Sequence, residues 1–100
     1  MSYNWAIEWL PDGFWLQIVF SGETHVYIVG RKHLGSFIGA IESDDVPAEI
    51  VDEIFEHMEF QLGSMFTLSR KVVEHGSITW AETAKLYFMS QVWPEPSIRW

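Results

Sequence analysis

Glu23, His25 and Tyr27 stand two residues apart, a spacing that on a β-strand puts all three side chains on one side. A carboxylate, an imidazole and a phenol in a row could pass protons near neutral pH, which is general acid–base chemistry. No nucleophile, oxyanion device or phosphate-cradling glycine loop accompanies the row, and polar side chains on an exposed strand face need no catalytic explanation. His33, His57 and His75 lack ligand spacing such as two histidines four apart with a third ligand. With no cysteine, thiolate metal sites, disulfides and cysteine nucleophiles are excluded. The expectation is a protein that is not an enzyme, with no catalytic residue, no metal and no cofactor.

Binding chemistry is more visible. Glu42, Asp44, Asp45, Glu49, Asp52, Glu53, Glu56 and Glu59 form a run without one Lys or Arg, while the rest of the chain balances six acids against six bases. The net charge of -8 is therefore a patch, and a patch of one sign speaks to partners more than to fold. Glu49, Asp52, Glu53, Glu56 and Glu59 recur at three- and four-residue spacings, which on a helix places neighbours about 5–6 Å apart. That is near the roughly 7 Å phosphate spacing of a nucleic-acid strand, so the face can imitate a charged backbone toward a basic protein. Unrelieved like charges at these spacings cost a few tenths of a kcal/mol each, a cost that a partner would offset, while the plainer reading of the run is a solvated helix exterior. Phe60 falls on the same outer side and reads as an aromatic anchor with a charged rim. Direct nucleic-acid binding is disfavoured, because six Lys and Arg cannot neutralise a phosphate backbone.

Six tryptophans are the second binding signal. Trp5, Trp9 and Trp15 lie on adjacent expected strands, and with Tyr27 they mark a second interface on a sheet whose two sides both carry aromatic residues.

The elements that must position these groups follow from periodicity. Tyr3, Trp5, Ile7 and Trp9 alternate with their neighbours, Pro11-Asp12-Gly13 supplies a hairpin turn, and Phe14–Phe20 follows. Ser21-Gly22-Glu23 marks the next reversal, Thr24–Val29 a third strand, and Ser36–Ile41 a fourth, weakened by Gly39 and Ala40. Residues 1–42 thus predict an antiparallel four-stranded meander, since the links are too short for parallel crossovers. From Asp44 the period changes: Ile50, Val51, Ile54, Phe55, Met58, Leu62, Met65, Phe66, Ser69, Val72 and Val73 keep one helical phase across Gly63. That predicts one long amphipathic helix over 44–76, closed by Arg70, Lys71, His75 and a left-handed Gly76. Thr79 and Glu82 form a capping box that opens a shorter helix over 79–93, ended by Pro94, and 94–100 is read as a tail.

The fold expected is α+β in a single domain over 1–100, with both helices packed on the sheet. No apolar run is long enough for a membrane span and no signal peptide is visible, which with the missing cysteine predicts a cytoplasmic protein. The leading expectation for function is a stoichiometric inhibitor, of the kind represented by immunity and anti-defence proteins, docking its acidic helix face on a basic nucleic-acid-binding protein or toxin. Two alternatives belong to other classes: a homodimeric structural or adaptor domain, and a small-ligand binder or enzyme with a Trp-lined pocket.

Overall fold

The computed structural model describes residues 2–89, 93–95 and 97–99, with side chains left aside at 89 and 97–99. Three strands open the chain: β1 (Tyr3–Leu10), β2 (Gly13–Phe20) and β3 (Glu23–Gly30). They pair antiparallel with no slip, Tyr3 opposite Phe20 down to Leu10 opposite Gly13, and Gly13 opposite Gly30 up to Phe20 opposite Glu23. Pro11-Asp12 makes the first turn, while Ser21 and Gly22 take φ of 50° and 74° in the second. Two positive-φ residues between paired strands match the right-handed strand twist, which is why a Ser-Gly pair serves here. Gly13 has a further reason to be glycine, because a Cβ there would stand 2.0 Å from the Val29 carbonyl oxygen.

The strict alternation of the ladder gives the sheet two unlike faces. Ile7, Trp9, Phe14, Leu16, Ile18, Phe20 and Val29 are buried on the inner face, where the helices cover them. The outer face, with Gln17, Val19, Thr24, Val26 and Ile28, carries no helix among the described residues, and Val26 and Ile28 are exposed.

The helical layer departs from the expected one in three places. The segment read as a fourth meander strand is a helix: a 3₁₀ turn at Arg31–His33 leads straight into α1 (Leu34–Ser43). Leu34, Phe37, Ile38 and Ile41, at i, i+3, i+4 and i+7, form its buried stripe, and burying that stripe outweighs the low helix preference of Gly35 and Gly39. The single long helix over 44–76 is two helices, α2 (Ala48–Leu62) and α3 (Ser64–His75). Gly63 separates them at φ 59°, ψ -132°; its N–H closes α2 on the Glu59 carbonyl, and its own carbonyl accepts from Phe66 and Thr67 to open α3. A one-residue joint lets both stripes, Ile50 to Leu62 and Met65 to Ser69, face one core, so the apolar phase passes through it unbroken. Gly76 caps α3 in the left-handed conformation, φ 80°.

The last helix, α4 (Trp80–Met89), begins on the expected capping box: the Glu82 carboxylate accepts from the Thr79 N–H at 3.0 Å, and the Glu82 N–H donates to the Thr79 hydroxyl at 3.2 Å. The expected extension to 93 reaches past Met89 into residues outside those described. This helix packs on α3, and α3 in turn packs on α1 and α2, so α4 lies beyond the layer that covers the sheet. The segment read as a tail returns to the sheet. The Trp93 indole donates to the carbonyls of Leu10 (2.8 Å) and Gly13 (3.1 Å), and β4 (Ser97–Arg99) pairs antiparallel with β1, Glu8 opposite Ile98. The sheet order is β3-β2-β1-β4, a three-stranded meander extended at the β1 side by a short terminal strand. The class, α+β with an antiparallel sheet, is the one expected; the four-stranded meander is not formed.

Candidate partner-docking face

The acidic residues of α2 sit opposite its buried stripe, so Glu49, Asp52, Glu53, Glu56, Glu59 and Phe60 are all exposed. Their environments differ. Glu53 turns toward the sheet, where the Tyr3 hydroxyl donates to it at 2.5 Å and the Trp5 indole at 2.9 Å. These two donors hold its carboxyl below the usual carboxylate range, and the same hydrogen bond raises the Tyr3 hydroxyl. Glu53 thus fastens α2 to β1. Glu59 is answered by Arg70 on α3 at 3.6 Å, and Arg70 also reaches Glu74 at 3.3 Å.

Glu49, Asp52 and Glu56 have no cation and no hydrogen-bond donor among the described residues. They run in one line along α2, at spacings of three and four, to Phe60, which is 85% exposed. Beside Asp52 a recess of about 270 Å³ opens between α2 and α3, floored by Val46, Val51 and Phe55 and rimmed by Glu42, Asp52, Glu74 and Arg70. The Arg70 guanidinium lies 5.0 Å from the centre of the Phe55 ring, so the chain's own arginine already covers part of this apolar floor.

The four aromatic residues expected to share a second interface do not share a face. Trp9 is buried and packs tilted against Phe14 at 5.6 Å and edge-on against Trp93 at 5.5 Å; Trp5 and Tyr27 are half-buried on the same inner face. Trp15 alone projects from the outer face, opposite Glu8 and Ile28 in the ladder. Alternation along each strand was legible, but which side the helices would choose depended on α1 being a helix.

The Glu23, His25 and Tyr27 row is also divided. His25 lies 3.3 Å from Glu23 and stacks on Phe20 at 5.0 Å, whereas the Tyr27 hydroxyl donates to Asp44 at 2.8 Å. Burial first, and then that hydrogen bond, raise the Tyr27 hydroxyl far above its ordinary value, so it holds its proton and ties α1's end to β3. Among the described residues no three His, Asp or Glu side chains converge to hold a metal ion. A recess of about 480 Å³ lies at the Tyr3–Phe20 end of the sheet and one of about 250 Å³ between α1, α3 and α4, and neither is lined by tryptophan.

Sequence reasoning missed the exposure of α4. Trp80, Tyr87 and Phe88 are 90%, 69% and 73% exposed, on the side of the helix turned from α3. Their spacing signalled one stripe; that nothing described would cover it had no signal in the sequence.

Fold and face together define a small α+β domain with a solvent-facing acidic helix and a tyrosine–tryptophan anchor beneath it. No protein-family model, curated protein or solved structure matches the chain. No helix among the described residues is long and apolar enough to cross a membrane.

Proposed function

We propose that this protein is a non-catalytic binder whose α2 face docks on a basic protein, and that it acts as a stoichiometric inhibitor of a nucleic-acid-handling protein or toxin, in the manner of immunity and anti-defence proteins. The observation that carries this reading is the line of Glu49, Asp52 and Glu56, unanswered by any described cation and ending at an 85% exposed Phe60. Like charges at helical spacing repel one another, and a basic surface removes that repulsion while Phe60 supplies the short-range apolar contact. The absence of cysteine suits a reducing, cytoplasmic setting.

The test separates charge from fold. Asp52→Lys with Glu56→Lys leaves the Glu53 hydrogen bonds and the Glu59–Arg70 pair in place, so the variant is expected to keep its circular dichroism. In capture from extracts of the cells that make it, the wild type should retain a basic protein at low salt and release it at high salt, and the variant should fail at both. Phe60→Ala should shorten the lifetime of the complex with little change in association rate. Equal retention by the double variant at physiological salt would remove the acidic face from the function.

A further inference from the structure

We infer that β3 is a pairing edge for a second copy of this chain, giving a two-fold antiparallel dimer in which the two sheets become one. This inference is independent of the acidic-face reading, which concerns the other layer of the molecule.

The two edges of the sheet are unlike. β4, at one end of the order, has three residues, and shortness is a common way of blunting an edge. β3, at the other end, has eight, and its one-to-one ladder with β2 leaves no bulge to twist the edge away. It contains no proline, lysine or arginine, and Glu23 at its start is its single acid. Among the described residues no backbone–backbone hydrogen bond leads from β3 to anything but β2. A long, regular, weakly charged edge without these protections presents a row of unpaired N–H and C=O groups to any strand that fits. Val26 and Ile28, 50% and 78% exposed, lie along it.

What fits is β3 itself. A two-fold axis normal to the sheet keeps like faces together, so only registers that pair residues of the same parity are allowed. Centred on Tyr27, the pairing sets Val26 of each copy opposite Ile28 of the other, two apolar β-branched pairs on the outer face. Centred on Val26, it would leave Ile28 opposite Thr24. In a chain of net charge -8, a second copy is repelled by α2 but meets one acid per strand at this edge. The approach is still not neutral, because Asp44 hangs from the Tyr27 hydroxyl and two copies of it are brought together. One strand edge with two Val–Ile pairs falls short of the about 1,000 Å² typical of a stable interface, so the dimer is weak and concentration-dependent.

Sedimentation of the full chain over a micromolar concentration series tests this, with circular dichroism to confirm folding. The wild type should pass from monomer to dimer, more readily as salt screens the paired Asp44 residues, the opposite salt response to docking on a basic partner. Ile28→Lys should weaken the dimer by roughly tenfold or more, while Phe88→Lys on α4 should leave it unchanged. If Ile28→Lys does not fold, amide exchange in the wild type decides the matter: protection along β3 should rise with concentration. A wild type that stays monomeric, a dimer indifferent to Ile28→Lys or abolished by Phe88→Lys, or β3 exchange that ignores concentration overturns the inference. An extended peptide of a different protein pairing there in place of β3 would show as the first of these.

Discussion

Glu82 and Glu53 show how an exposed carboxylate acquires a structural task. Glu82 accepts from the Lys71 ammonium at 2.8 Å and from the Thr79 N–H, and these hold its carboxyl at about 2 where 4.5 is ordinary, the lysine contributing most. A depressed folded-state value means that the group stabilises the fold fully above pH 4.5, and that this contribution is lost as pH falls from about 4.5 to about 2. Glu82→Gln should therefore lower the urea midpoint at pH 7, with the gap to the wild type narrowing through that window and closing near its acid end. A gap that stays constant with pH would show that the ion pair with Lys71 contributes nothing that titrates. Glu53 works in the same direction through Tyr3 and Trp5, which is why the charge-reversal pair chosen for the docking face leaves it alone.

At the scale of elements, the joint at Gly63 carries the clearest expectation. Its φ of 59° with ψ of -132° lies in a region that residues with a Cβ avoid, although no atom stands within 4 Å of the place a Cβ would occupy. Gly63→Ala should thus destabilise the fold by about 1–3 kcal/mol through backbone strain alone, read from chemical denaturation. A continuous helix would instead make the substitution neutral or slightly stabilising. The sequence carried the signal for this boundary in the glycine, yet the apolar phase argued against it. Periodicity reports which side faces the core, and two helices hinged at one residue can face the same core with the same phase. The reverse error occurred at α1. Leu34, Phe37, Ile38 and Ile41 had helical spacing, but the preceding run of strands favoured a fourth strand, even one weakened by Gly39 and Ala40. Strands β1 to β3 were legible because each alternates and each link is two residues long. The end of the chain was not, because β4 is defined by its partner Ile7–Trp9 and three residues have no period of their own. At the candidate site, the exposure of α2's acids and Phe60 followed from phase, while the separate fates of Glu53 and Glu59 depended on β1 and α3 arriving beside them.

For the molecule as a whole, charge and apolar surface are sorted by layer. Glu49, Asp52 and Glu56 lie on α2 with the exposed Phe60, the exposed Trp80, Tyr87 and Phe88 on α4, and the exposed β-branched pair on β3. Three such surfaces on one small domain make self-association and partner capture separable by variant. The pairing of β4 with β1 adds an order in time. Local hairpins close quickly, whereas Ile7 and Trp9 must wait for Arg99 and Ser97, about ninety residues on, so their outer edge stands open until residues 97–99 have been made. During synthesis the meander and α1 to α3 can settle first, with Trp93 and β4 arriving as a latch across the first hairpin. Pulse-labelled amide exchange during refolding should show the β1–β2 ladder protected before the β1–β4 ladder, and simultaneous protection would mean that the latch belongs to the folding nucleus. A nascent chain therefore passes through a stage in which both margins of its sheet are adhesive, and the final strand retires one of them.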